Sequence, residues 1–375
     1  MKVKKIAVIG AGLMGAGISY VSGVSGYEVI MADLDDDAVK RGLSRFNSYV
    51  ESGVKRGKLS PEDGEKLISQ LTTTTNLSEA VSDVDLVIEA VFENMDVKKK
   101  LFKEMDGAAK PHTILASNTS SLSITELGKV TNRPDKVIGM HYFSPVPAMK
   151  LLEVIIGKET NEDTVQTALE VGEKQRKITV KAIDSPGFIV NRLRAQISRA
   201  VLHIYEQGLA SAEEIDTAMK EKLGTPMGSL ELSDFVGMDV SLGTGSTLER
   251  ELGECYKVPE ILKRFVKEGR IGRKAGKGFY AYEDGQKRSL DEPKGADPDW
   301  LVTRILMPYL REAMIEFEAG IACKEDIDKA MKLGSNYKEG PFETIERLGV
   351  DKVREELKKL QEEFGDCYSL PKMLQ

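Results

Sequence analysis

The sequence predicts an α/β protein: a doubly wound parallel sheet over residues 1–184, followed by an all-helical domain that is duplicated. Three observations predict it. Short apolar runs alternate with helical patterns through the first half, and a glycine-rich turn follows the first of those runs. Beyond Asp184-Ser185-Pro186-Gly187 only helical periodicity remains, and it repeats at a fixed offset.

The first element is the apolar run Ile6-Ala7-Val8-Ile9, as expected of a central strand buried on both faces. It ends at once in Gly10-Ala11-Gly12-Leu13-Met14-Gly15, a G-x-G-x-x-G opening a helix from Leu13 to Gly23. The first glycine permits the tight turn, the second lets backbone approach a pyrophosphate, and the third lets helix and strand pack closely. A second apolar strand, Val29 to Ala32, ends in Asp33, where a carboxylate would bind adenosine ribose hydroxyls and repel a 2′-phosphate. A Rossmann-type unit that binds NAD rather than NADP is expected. A secretion signal over Lys4 to Val21 fits poorly, because its removal would delete the first strand of a complete βαβ unit.

A helix from Asp35 to Val50 follows, then one capped by Ser60 with Pro61 at its first position. Strands are expected at Leu86–Ala90, Thr113–Ala116, Val137–Met140 and Leu151–Ile155, then a helix from Asn161 to Lys174 and a last strand from Ile178 to Ile183. The helical part holds Phe188–Gln207, Ala212–Lys222 and Pro259–Glu268. Its pattern Asn191-Arg192, Glu206-Gln207-Gly208-Leu209-Ala210 and Glu214-Ile215-Asp216 recurs as Thr303-Arg304, Glu318-Ala319-Gly320-Ile321-Ala322 and Asp326-Ile327-Asp328. This divides the chain into a nucleotide-binding domain (1–184), a helical domain (185–283) and a degenerate second copy (284–375), joined by the polar linker Glu283 to Pro298.

Composition sets the outer limits. With 30% charged residues and a net charge of −7, the 375-residue chain offers no basic field for nucleic acid. The glycines of the first segment argue against a membrane span. Cys255, Cys323 and Cys367 read as neither a disulfide framework nor a zinc spacing, so no metal is expected and a cytoplasmic location is the simplest.

Ligands of open α/β sheets bind beyond the carboxyl ends of the strands. Two such ends carry chemistry: Ser117-Asn118-Thr119-Ser120-Ser121, and His141 with the Tyr142-to-Pro147 segment after it. Of three histidines, His112 falls on the opposite edge of the sheet and His203 inside an amphipathic helix, which singles out His141 as a general base. Glu153 lies amid an apolar strand, where an unpaired carboxylate is costly, so it is expected to meet His141 and offset imidazolium charge. Lys55 and Arg56, with Lys58, form a candidate cationic cluster for phosphates.

These residues lie in stretches that resemble the L-3-hydroxyacyl-CoA dehydrogenase family over Lys4 to Tyr282. The matching stretches are Val8–Gly15, Ser117–Leu122, His141–Pro147, Leu151–Val154, Ser185–Arg192 and Gly276–Tyr280. The resemblance implies oxidation of a 3-hydroxyacyl-CoA with NAD, His141 as base and Glu153 as its partner. It also implies that Ser120 and Asn191 surround the reacting oxygen and the nicotinamide, with cofactor contacts at Asp33, Glu93, Lys98 and Lys274. Many members carry Asn where this chain has Ser144, which shortens a polar contact near the nicotinamide. That serine and the duplicated helical domain are similar to the dehydrogenase half of multifunctional fatty-acid oxidation proteins, which often add an enoyl-CoA hydratase module. A second copy could cover the surface that dimerises in single-copy members, leaving monomer and homodimer both open. A dehydrogenase of a free 3-hydroxy acid or sugar acid, and a non-catalytic NAD-binding protein, are the alternatives.

Overall fold

The computed structural model describes residues 2–284 and 286–375. The chain forms two compact units, one running to Ser185 and one beginning at Pro186. The first unit contains β1 (Lys5–Ile9), α1 (Leu13–Val24), β2 (Glu28–Ala32), α2 (Asp36–Lys55), α3 (Pro61–Gln70), β3 (Thr72–Thr74), α4 (Leu77–Val81) and β4 (Leu86–Glu89). It continues with α5 (Met95–Ala108), β5 (Ile114–Ser117), α6 (Ile124–Gly128), β6 (Val137–Tyr142), β7 (Leu151–Ile156), α7 (Glu162–Lys174) and β8 (Ile178–Ile183). All eight strands form one sheet in the order β3-β2-β1-β4-β5-β6-β7-β8. Because the chain starts at β1, winds outward to β3 and then reverses through β4, the crevice between β1 and β4 is the topological switch point.

The sheet is not wholly parallel, which corrects the expectation. β7 runs antiparallel to β6, and β8 returns parallel to β7 through α7. The reason is length: the segment 143–150 is too short for a helical crossover, which needs about a dozen residues, so the chain must turn back. Local signals otherwise set the elements. Ser60 accepts a hydrogen bond from the Asp63 N–H with Pro61 in the first turn, and Asp35 caps α2 through the Ala38 N–H. α2 runs a full turn beyond its expected end. α5, expected only as a helix face at Lys98-Lys99-Lys100 and without bounds, starts at an Asn94 cap that accepts from the Val97 N–H.

The second unit holds α8 (Val190–Glu206), α9 (Ala212–Ala218), α10 (Ser229–Val236), α11 (Met238–Leu252), α12 (Glu260–Lys267), a hairpin of β9 (Tyr280–Glu283) and β10 (Gln286–Ser289), then α13 (Pro298–Glu318), α14 (Lys324–Ser335), α15 (Pro341–Leu348) and α16 (Val350–Phe364). The segment expected to be a plain linker therefore contributes a strand, β10, paired antiparallel to β9. The repeat seen in sequence carries the same devices in three dimensions. Asp216 accepts from the N–H groups of Leu230 and Glu231, and Asp328 from those of Phe342 and Glu343. Gly228 and Gly340 are needed for this approach, since a Cβ on either would lie 2.2 or 2.3 Å from the aspartate it faces.

The cysteine reading also needs correction. Cys255 and Cys367 form a disulfide, at a separation of 112 residues that equals the repeat offset; Cys323 is free and exposed. The two bonded cysteines occupy equivalent places in the two copies, so wide spacing along the chain hid a close approach in space. The argument for a reducing compartment from cysteine usage falls with it.

Candidate active site

The nucleotide loop has the form its glycines imply. Gly10 has φ +104, and a Cβ there would lie 2.5 Å from the Ala90 carbonyl oxygen; one on Gly15 would lie 1.7 Å from the Gly10 oxygen. Around the Gly12 Cβ position nothing lies within 4 Å, and no side chain caps α1, so its first N–H groups are left for an anion. Asp33 accepts from the Ala11 N–H through Oδ2 and from the Leu34 N–H through Oδ1, both at 2.7 Å. A cavity of about 590 Å³ opens here, walled by Gly10, Gly12, Asp33, Leu34, Phe92 and Val97. Leu34 and Phe92 are 92% and 81% exposed, an apolar lining with no protein to cover it. A dinucleotide fits this set: phosphates on the loop, ribose at Asp33, adenine between the apolar side chains.

At the end of β6 the predicted pair is assembled. Antiparallel register sets His141 directly opposite Glu153, and Nδ1 lies 2.6 Å from Oε2. Glu153 is fully buried and His141 is 6% exposed. A carboxylate only accepts, so Nδ1 carries the proton and Nε2 is the accepting nitrogen of the ring. The Phe143 ring packs against the imidazole at 4.4 Å between centroids. Orientation therefore comes from both sides.

A second network ties the ends of β4 and β5, and sequence reasoning saw only part of it. Glu89, buried at the end of β4, accepts from the Val91 N–H, Ser117 Oγ and Lys98 Nζ. Lys98 is buried and also pairs with Glu93 at 3.3 Å, so its charge is spent within the protein. Burial pushes the Glu93 carboxyl up, but the Lys98 ammonium and hydrogen bonds from Thr119 and Ser120 outweigh it and hold it below the usual carboxylate range. Ser120 thus sits on the Glu93 carboxylate, through both its N–H and its hydroxyl. Glu89 was missed, although the signal that found Glu153, a carboxylate in an apolar strand, was also present in Leu86-Val87-Ile88-Glu89.

The other predicted residues are placed as follows. Ser144 is exposed just past β6, ahead of Pro145. Lys55 and Arg56 are exposed at the carboxyl end of α2, where cations also complement the helix dipole. In the second unit, Asn191 lies in the first turn of α8, and Lys274 donates to both carboxylate oxygens of Asp239. Among the described residues no cluster of three His, Cys, Asp or Glu side chains could hold a metal ion, and no helix is long and apolar enough to cross a membrane.

Comparison with known proteins identifies the family of this fold. Residues 5–185 match the family model described as 3-hydroxyacyl-CoA dehydrogenase, NAD binding domain. Residues 187–282 and again 300–375 match 3-hydroxyacyl-CoA dehydrogenase, C-terminal domain. The chain is 43% identical over 286 residues to a probable 3-hydroxybutyryl-CoA dehydrogenase of Bacillus subtilis, covering 76% of this chain and 99% of that protein. It is 36% identical over 383 residues to the fatty acid oxidation complex subunit alpha of Shewanella oneidensis, covering 98% of this chain but 54% of that protein, so it spans about half the length of such relatives. A crystal structure of 3-hydroxybutyryl-CoA dehydrogenase from Escherichia coli superimposes with a TM-score of 0.91 at 28% identity, over 100% of this chain and 98% of that one. The chain belongs to the 3-hydroxyacyl-CoA dehydrogenase family of NAD-dependent oxidoreductases.

Proposed function

We propose that the protein interconverts (S)-3-hydroxyacyl-CoA and 3-oxoacyl-CoA, with His141 as the proton-exchanging group. The observation that carries this is the buried His141–Glu153 pair at the carboxyl edge of a sheet whose nucleotide loop is intact. Bound NAD supplies the hydride acceptor. His141 takes the hydroxyl proton at Nε2 during oxidation and returns it during reduction. Glu153 holds the reactive tautomer and offsets the positive charge that develops on the ring. Ser120, ordered by Glu93, and Asn191 at the start of α8 supply hydrogen bonds to the reacting oxygen, while Lys55 and Arg56 receive coenzyme A phosphates. Gly10 to Gly15, Asp33, Glu93, Lys98, Ser144 and Lys274 form or brace the cofactor side.

The test is NADH consumption with acetoacetyl-CoA against free acetoacetate. Turnover of the thioester alone supports the reading; turnover of the free acid alone replaces it with a 3-hydroxy-acid dehydrogenase, and turnover of neither removes the catalytic assignment.

The duplicated helical unit supports a monomer. α8 packs against its repeat equivalent α13, Arg192 on α8 is bound to Glu312 on α13 at 2.5 Å in buried surroundings, and the disulfide links the same two copies. A surface of this kind is ordinarily completed by a second subunit. Any enoyl-CoA hydratase activity would come from a separate protein or module. Acyl-CoA and NAD are metabolites of the cell interior, which supports a cytoplasmic location.

A further inference from the structure

The short turn between α7 and β8, residues 175–177, sends two polar side chains into the interior of the first unit. The Arg176 N–H donates to the Glu173 carbonyl and the Lys177 N–H to the Gly172 carbonyl, which closes the end of α7. Arg176 takes a left-handed φ of 59° to allow this, at a position where glycine is the common choice. Gln175 and Lys177, on either side of it, are 4% and 8% exposed.

Lys177 reaches the segment that follows β6. Its ammonium donates to the carbonyls of Val146 and Met149, the second at 2.7 Å. Among the described residues no carboxylate pairs with it, and burial pushes its pKa down to about 8. Val146 is itself buried and lies against α1, where a Cβ on Gly17 would come within 2.9 Å of its side chain. Segment 143–150 is therefore pinned between the nucleotide helix and Lys177. It begins with Phe143, whose ring packs on His141. Gln175 fixes the end of the strand: its carbonyl oxygen accepts from the Tyr142 hydroxyl at 2.6 Å, and its amide donates to Ser22 of α1 at 2.8 Å. The Tyr142 N–H in turn donates to the Asn118 side chain beyond β5.

A buried ammonium without a counter-charge is a poor source of stability, because its desolvation is only partly offset by hydrogen bonds. What it supplies is direction. Two carbonyls of one turn converge on a single atom, so the turn that carries Phe143 has one position.

We propose that Lys177 is a positioning residue for the proton-transfer step, acting through segment 143–150 to set where the Phe143 ring meets the His141 imidazole, with Gln175 registering the same strand end against α1. The proposal rests on the assignment of His141 as the proton-exchanging group. Without the ammonium the two carbonyls must find other donors and the turn shifts. His141 then keeps Glu153 and loses its support on the other side. The nucleotide loop and Asp33 are held by their own contacts, so cofactor binding is spared.

The experiment measures NADH oxidation with acetoacetyl-CoA by the full chain carrying Lys177→Met, Phe143→Leu or both. Lys177→Met should lower kcat by about tenfold or more while the KM for NADH stays within about threefold of wild type. Phe143→Leu should also lower kcat, and the double variant should fall within about twofold of the slower single one, since both changes act on one contact. Where circular dichroism shows Lys177→Met unfolded, Lys177→Gln, which keeps one donor, carries the same comparison. A kcat within about twofold of wild type in the folded lysine variant overturns the proposal, as does a kcat loss matched by an equal rise in the KM for NADH. An unchanged kcat in Phe143→Leu, or losses that multiply in the double variant, overturns it too, because the effect would then not pass through the ring. If wild type is active, His141→Gln is not, and Lys177→Met is normal, the dehydrogenase reading stands and the brace falls. If wild type does not reduce the thioester, both fall.

Discussion

Glu153→Gln tests the electrostatic part of the mechanism with little change of shape. The carboxylate is fully buried, 2.6 Å from His141 Nδ1, so its charge acts on the imidazole with little solvent screening. Two unit charges about 4 Å apart attract by about 4 kcal/mol at an effective dielectric of 20. Glutamine keeps the volume and can accept a hydrogen bond from Nδ1–H, retaining the tautomer but losing the charge, so the loss in the transition state is roughly 2–4 kcal/mol. That corresponds to a fall in kcat of about thirty- to a thousandfold. Removing a buried charge while filling the same space should leave the thermal midpoint close to wild type. The assay is steady-state NADH oxidation with acetoacetyl-CoA, together with NADH affinity by fluorescence. An unchanged kcat refutes the role of Glu153; a loss of kcat accompanied by loss of NADH binding refutes the claim that it acts through His141.

Further expectations concern cofactor choice, pH and the disulfide. Asp33→Ser removes the carboxylate that would repel a 2′-phosphate, and should shift the NADPH-to-NADH ratio of kcat/KM upward by about tenfold or more; an unmoved ratio would place cofactor discrimination elsewhere. Asp216 is held up at about 6, because burial outweighs the hydrogen bonds from Tyr280, Leu230 and Glu231. Its folded form therefore binds a proton more tightly than the unfolded chain does, so this contribution to stability is full below about pH 4 and is lost as pH rises through about 6. The difference between wild type and Asp216→Asn in chemical denaturation should change across that window and be flat above it; a flat difference throughout contradicts the assignment. Reducing the Cys255–Cys367 bond, which closes a loop spanning 112 positions, should lower the thermal midpoint, with about 4–5 kcal/mol as the chain-entropy expectation. A midpoint insensitive to reductant, with Cys255→Ser equally stable, would mean that the two copies hold together without it.

What the sequence revealed followed from how local each signal was. The loop Gly10 to Gly15, the Ser60-Pro61 helix start and the strand Ile178–Ile183 are fixed by their own residues, and each appears where expected. The pairing of His141 with Glu153 was legible for a different reason: a carboxylate among apolar neighbours must find a partner, and His141 lay one short turn away along the chain. The antiparallel direction of β7 depended on a loop length that was visible but outweighed by the parallel pattern around it. The disulfide, β10 and the Glu89–Lys98 pair arise from contacts between distant segments, which periodicity does not report.

The central claim is that one imidazole moves the proton in this reaction, and the most direct measurement is turnover of acetoacetyl-CoA by His141→Gln beside NADH binding by the same protein. The account predicts that kcat falls by about two to four orders of magnitude while NADH affinity is retained. Turnover near the wild-type rate would contradict it.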